Sequence, residues 1–283
     1  MSFVTTATVV KKLSMATVGA MFIALGILNP GQTKAATIGS DSFGYKATDD
    51  IHFTFEDIST TGTTVLAGTD DTFSSANIGF DFNFYGINYN NVSFTANGLL
   101  TFAGTNVLFT NKNLTTTAPL GNHPSIAVLW DDWKFPSSGN SAVYYQTLGQ
   151  TGNRRFITQW NAALGYPTSP SPVTFQSVLF ESSNDILLSY LDVDAGNNKS
   201  FGGNATVGIR DTDGQLNGRN LQWSFDSPVI KDSQSIRFSY YSPVIKDSQS
   251  SRVPEPASLV GLLALAACST SSSLLKRQHQ INT

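Results

Sequence analysis

Cysteine is all but missing from this chain: Cys268 is the only one in 283 residues, and it lies in an apolar run near the C-terminus. The residues before that run therefore have no disulfide and no thiol chemistry, and their stability must come from packing or from a bound ion. Charge is sparse as well, with Asp, Glu, Lys and Arg making up 13% of the residues. It is also one-sided between Ala36 and Arg252, where 19 of the 20 acidic residues but only 12 of the 17 basic ones fall, a net of −7 against −3 for the whole chain. An acidic surface without clustered Lys and Arg argues against nucleic acid as a partner, because neutralising phosphates needs such clusters. His52 and His123 stand far apart and outside any nucleophile or metal-ligand motif, and neither Gly-x-Ser-x-Gly nor His-Glu-x-x-His occurs. Helical periodicity is sustained nowhere between the two ends.

What is present is alternation at period two, broken by clusters of Gly, Asn, Asp and Ser. Ile78, Phe80, Phe82 and Phe84 fall on one strand face, with Gly79, Asp81 and Asn83 on the other. Val92, Phe94 and Ala96 lead into Asn97-Gly98, a dipeptide that tolerates positive φ, and Leu99-Leu100-Thr101-Phe102 returns as the second arm of a hairpin. Further strands are expected at 126–130, 142–147, 155–161, 173–181, 186–191, 206–210, 221–225 and 236–240, after an earlier pair at 53–58 and 63–66. Roughly a dozen strands predict an all-β domain over 37–241, an antiparallel β-sandwich. The three prolines between Tyr166 and Pro172 mark an exposed loop. Ser227–Ser235 recurs unchanged at Ser242–Ser250. The first copy runs into a strand and belongs to the fold, whereas the second has none after it and makes 242–252 a polar linker.

The two ends are of a different kind. Lys11-Lys12 precede an apolar stretch from Leu13 to Leu28, Asn29-Pro30-Gly31 breaks it, and Ala35-Ala36 offer small residues for cleavage. Residues 1–36 thus have the layout of a secretory signal peptide, with an uncleaved N-terminal anchor as the alternative. At the other end, Val253-Pro254-Glu255-Pro256 opens a tail over 253–283 whose residues 257–275 are about long enough for a helix to cross a bilayer, with Lys276 and Arg277 as a membrane stop. The polar patch Ser269 to Ser273 loosens that span, and a buried C-terminal core helix is the competing reading. The tail, from Val253 to Pro256 through the apolar opening to Leu274-Leu275-Lys276-Arg277, resembles that of the PEP-CTERM proteins of bacteria. The resemblance implies export, transient anchoring in the inner membrane, processing by an exosortase as partner, and a final place at the cell surface or outside it.

A second resemblance runs from Ile126 to Ile209. Trp130-Asp131-Asp132, Val143-Tyr144-Tyr145, Gln159-Trp160-Asn161, Thr174-Phe175-Gln176 and Ile186 to Tyr190, with Gly208, are similar to successive strands of the NIDO domain of nidogen-type extracellular proteins. This implies an adhesive or matrix module with no catalytic residues to carry over. The sequence departs from that pattern at Asp131-Asp132-Trp133, where an Ala-Asp pair is more usual. Together the two resemblances predict an exported, non-enzymatic structural or adhesive protein linked to exopolysaccharide or biofilm.

Three candidate sites remain, each with a plainer reading beside it. Trp133, after a strand and beside Lys134 and Phe135, is expected to be exposed, and Trp133 and Phe135 would then stack on a sugar ring as in a carbohydrate-binding module; the plainer reading is core packing. Carboxylates cluster at Asp131-Asp132, and Asp192, Asp194, Asp211 and Asp213 alternate in glycine-containing loops that would aim oxygens at a calcium ion, although neither loop completes an EF-hand. Turn formation explains the same residues. Glu56 and Glu181, the only glutamates in 37–241, would serve a glycoside hydrolase, with solvated strand ends as the alternative. No resident cofactor is expected apart from that calcium ion.

Overall fold

The computed structural model describes residues 35–116 and 123–240. The expected signal cleavage, the linker, the Val253–Pro256 motif and the 257–275 span lie outside the described residues, among which no helix is long and apolar enough to cross a membrane. The chain forms β1 (Thr37–Gly39), β2 (Tyr45–Thr48), β3 (Thr63–Val65), β4 (Phe73–Phe84), β5 (Ile87–Thr95), β6 (Leu99–Thr101), β7 (Ser125–Trp130), β8 (Trp133–Lys134), β9 (Ala142–Leu148) and β10 (Arg155–Gly165). It continues with β11 (Val173–Phe180), β12 (Ile186–Asp192), β13 (Thr206–Arg210), a four-residue helix α1 (Gly214–Asn217), β14 (Asn220–Phe225) and β15 (Gln234–Tyr240). A nine-stranded sheet has the order β1-β2-β15-β12-β11-β10-β9-β3, with β8 added on β10, and a six-stranded sheet has the order β14-β13-β7-β6-β5-β4. The pairings are antiparallel, and the two sheets make the sandwich.

The alternation read from the sequence builds the core between them. Ile78, Phe80, Phe82 and Phe84 of β4 are buried, while Asn77, Gly79 and Asp81 on the other face are exposed and Asn83 is half-buried. In the nine-stranded sheet, Phe156 and Trp160, Phe175 and Leu179, and Leu188 and Tyr190 point the same way into this core. Trp160 and Phe175 sit opposite each other on β10 and β11 and stack with centroids 5.2 Å apart, an aromatic cross-strand pair of the kind that adds about 0.5–1.5 kcal/mol beyond its burial. The polar ends of buried rings then tie sheet to sheet. The Trp160 indole donates to the Thr95 carbonyl at 2.8 Å and the Tyr190 hydroxyl to the Val128 carbonyl at 2.7 Å, so neither ring buries an unpaired donor.

The Asn97-Gly98 hairpin forms as expected between β5 and β6, with Phe94 opposite Leu100. Gly98 takes φ +76°, and a Cβ there would meet the Leu129 carbonyl oxygen at 2.7 Å, so the position demands glycine on two counts.

One expected strand is not a strand. Residues 53–58 cross the outer face of the nine-stranded sheet as an irregular strap, and sheet side chains take the place of a neighbouring strand. Ser235 Oγ accepts the Thr54 N–H, Gln176 Oε1 accepts the Glu56 N–H and Gln159 Oε1 accepts the Ile58 N–H, at 3.2, 3.2 and 2.9 Å. Gln176 Nε2 returns a bond to the Glu56 carbonyl. Every second amide is thus satisfied, which reproduces the period-two pattern without a ladder. Ile58 closes a second apolar cluster under the strap, with Tyr144, Ile157, Val178 and Leu187.

Candidate functional site

An acidic cleft forms where β7 ends. Asp131 and Asp132 follow Trp130, and the chain turns at once into β8, which pairs with the far end of β10 through Gly165 opposite Trp133 and Leu164 opposite Lys134. That pairing corrects the expectation for Trp133. Its ring is fully buried, its indole N–H donates to the Leu129 carbonyl at 2.7 Å, and its backbone N–H donates to Asn97 Oδ1 at 3.0 Å. Phe135 is buried with it in the main core. With β8 hydrogen-bonded to the end of β10, the rings of Trp133 and of Phe135 just after it both face the core, so these two form no sugar-stacking platform.

The same turn leaves the carboxylates behind. Asp131 is 5% exposed; its Oδ1 accepts from Lys199 Nζ at 2.6 Å and from the Asp132 N–H at 2.7 Å, while its Oδ2 is buried without a partner among the described residues. Burial raises its pKa, and the Lys199 ammonium opposes the rise. Asp132 is pushed up to about 6, first by desolvation, with Lys199 pulling down and Asp71, Asp70 and Asp131 pushing up. Oxygens of Asp70, Asp71 and Asp132 lie within 4.8 Å of one another. Asn97 steadies this corner from the hairpin tip, its Nδ2 donating to Asp71 Oδ1 at 3.0 Å.

Beside Asp132 opens a cleft of about 560 Å³, lined by Phe109, Asn111, Asp131, Asn204 and Asp226 among others and, among the described residues, by no basic side chain. Phe109 is 48% exposed. The segment that carries it is pinned from below by the Trp130 indole, which donates to the Leu108 carbonyl at 2.8 Å. Asn111 Nδ2 donates to Asp226 Oδ1 at 2.7 Å and orients that carboxylate. Three carboxylates, two amides and an open aromatic ring meet on one wall system drawn from four separate stretches of chain.

The other sequence candidates go elsewhere. Asp192 Oδ1 accepts the Asp194 N–H, and Asp194 Oδ1 accepts the Gly196 N–H and the Ser200 hydroxyl. Asp211 is committed to the Thr212 N–H and, at 2.7 Å, to Arg219. Asp213 precedes α1 and makes no side-chain capping bond there. Asp192 and Asp194 thus shape turns and Asp211 holds an ion pair, and among the described residues the carboxylates gathered at metal-binding distance are Asp70, Asp71 and Asp132. Glu56 is gripped at two points by Arg155, at 2.5 and 2.6 Å. Glu181 is held likewise by Arg154 and accepts the Gly152 and Arg154 amides, which brings its pKa down to about 2. Asp131-Asp132 was visible as an acidic pair in the sequence. Phe109, Asp226, Asp70 and Asp71 were not singled out, because each sits in an ordinary-looking loop with no spacing to mark it.

A family model described as NIDO related matches residues 44–247, a span that extends well beyond both ends of the 126–209 stretch on which the resemblance was read. No curated protein and no solved structure matches the chain.

Proposed function

The chain belongs to the NIDO-related family, and from that membership we propose that it is an exported, non-enzymatic β-sandwich module with a structural or adhesive role outside the cytoplasm, linked to exopolysaccharide or biofilm. The observation that carries the reading is the family match over residues 44–247, which takes in nearly all of the two-sheet domain. The acidic surface and the lack of any thiol before Cys268 agree with it. The arginine grips on Glu56 and Glu181 support the non-enzymatic part, since each glutamate is engaged in its own ion pair on the scaffold. Delivery is assigned to the two ends: the signal at 1–36 starts export, the span at 257–275 holds the chain in the inner membrane, and an exosortase acts near Val253, Pro254, Glu255 and Pro256.

Fractionation of its bacterial host tests the reading. A tagged chain is expected in the membrane as the long form and at the surface or in the medium as a shorter one. Pro254→Ala with Pro256→Ala is expected to trap the long form in the membrane. Finding the intact chain soluble in the cytosol removes the proposal.

A further inference from the structure

We propose that the cleft beside Asp132 binds a saccharide whose units carry no acid group, with Phe109 as the stacking face and the carboxylates of Asp132 and Asp226 accepting hydrogens from its hydroxyl or amine groups. This rests on the extracellular reading above and names the ligand class of that module.

Size comes first. A cleft of about 560 Å³ is in the range of small-molecule sites, roughly 300–1,000 Å³, and holds a few sugar rings' worth of contact at most. Chemistry comes next. A pyranose has an apolar C–H face and an edge of hydroxyl donors, so it needs an open ring and strong acceptors on the same wall. Phe109, 48% exposed, is the ring that lines this cleft. Carboxylates accept roughly twice as strongly as neutral groups, and Asn111 already fixes the direction of Asp226. Asn204 adds an amide that both donates and accepts.

Charge then selects among sugars. With three aspartates and no basic side chain among the described residues of the lining, the field of the cleft repels uronates and phosphorylated sugars and attracts an amine-bearing unit. Lys199 is turned away from this role, because it is spent on Asp131 and lies over the Trp133 ring at 5.5 Å.

The test uses the full chain in detergent, titrated by calorimetry with tetrasaccharides of glucose, mannose, glucosamine and galacturonic acid. At least one of the first three is expected to bind, glucosamine more tightly than its uncharged counterparts, and galacturonate not at all. Phe109→Ala and Asp226→Asn, both at exposed positions, are each expected to weaken binding about tenfold or more with the melting temperature unchanged. Trp130 fluorescence should report the ligand through the Leu108 contact. Failure of all three non-acidic probes, tighter binding of galacturonate, or unchanged affinity in both variants overturns the proposal. So does binding that vanishes with EDTA and returns with calcium, which would make the cleft a cation site. Recovery of cleaved saccharide leaves the binding in place and overturns the non-enzymatic reading alone. Fractionation of the same strain separates the two failures: a surface-exposed chain that binds no saccharide sinks the cleft alone, and a cytosolic chain sinks the extracellular reading.

Discussion

The aspartates of the 192–213 loops and those of the cleft have the same side chain and opposite fates. Asp192 and Asp194 each turn Oδ1 onto the backbone N–H two residues on, the Asx turn that an aspartate makes in a loop. Asp70-Asp71, Asp132 and Asp226 come from three separate segments, and only folding brings Asp132 to the first pair on one side and to Asp226 across the cleft on the other. Their surroundings differ accordingly. Asp194 is held below its ordinary pKa by the Ser200 hydroxyl and the Gly196 amide, whereas Asp132 is pushed up to about 6 by desolvation and by neighbouring carboxylates. Asp194 spends its Oδ1 within its own loop, whereas Asp132 faces carboxylates that folding brings from a distant segment.

The comparison is sharpened most by Trp133, the buried ring that directly follows Asp131 and Asp132. Trp133→Ala is expected to destabilise the domain by about 3–5 kcal/mol in chemical denaturation, the usual cost of emptying a buried aromatic site. A near-neutral result would put the ring outside and return the sugar platform to it. Next in size is Gln159→Ala. This side chain is fully buried and accepts the Ile58 N–H while donating to Asp57. Its loss leaves a buried donor unpaired, at a cost of about 1–3 kcal/mol, and should raise amide exchange along 54–58 ahead of the rest of the domain.

Those two positions also mark where sequence reading succeeds and where it stops. The alternation at Ile78 to Phe84 and the hairpin at Asn97-Gly98 are local signals, and both appear as expected in β4 and β5-β6. The strands from β9 to β15 lie within a few residues of their expected bounds for the same reason. Residues 53–58 carry the same alternation, but a strap bonded to glutamine and serine side chains writes the same pattern as a strand, so only the partners distinguish them. The partners were in view: Gln159 and Gln176 belong to the Gln-Trp-Asn and Thr-Phe-Gln segments that carried the resemblance, with Trp160 and Phe175 facing in and the glutamines facing out. The short strands β1, β2 and β8 are below the length at which periodicity is readable. The direction of Trp133 is set by pairing with Gly165, more than thirty residues on, and nothing nearby in the chain announces it.

A smaller effect is expected at Glu181. Hydrogen bonding to Arg154, with help from two backbone amides and against the cost of burial, holds this carboxyl at about 2 in the folded state, below the ~4.3 of an unfolded chain. A depressed folded-state pKa adds stability above the unfolded value and loses it progressively as pH falls from about 4 towards 2. Glu181→Gln should therefore lower the melting temperature modestly at pH 7 and flatten its fall between pH 4 and pH 2. An acid limb identical to that of the parent chain would mean that the arginine contact contributes nothing to stability.

The smallest effect is reserved for Asp213, which makes no capping bond to α1 and whose side chain is exposed. A substitution at such a surface position usually stays within about 0.5 kcal/mol. If the 192–213 aspartates only shape turns, Asp213→Ala should melt with the parent chain, and millimolar calcium or excess EDTA should move the two melting curves by the same amount. If instead Asp213 supplies an oxygen to a calcium ion, its removal weakens an interaction made only by the folded state, and the stabilisation by calcium, which grows with the ratio of free ion to Kd, must shrink in the variant. A calcium-dependent gap between the two curves would therefore erase the distinction between the loop carboxylates and those of the cleft.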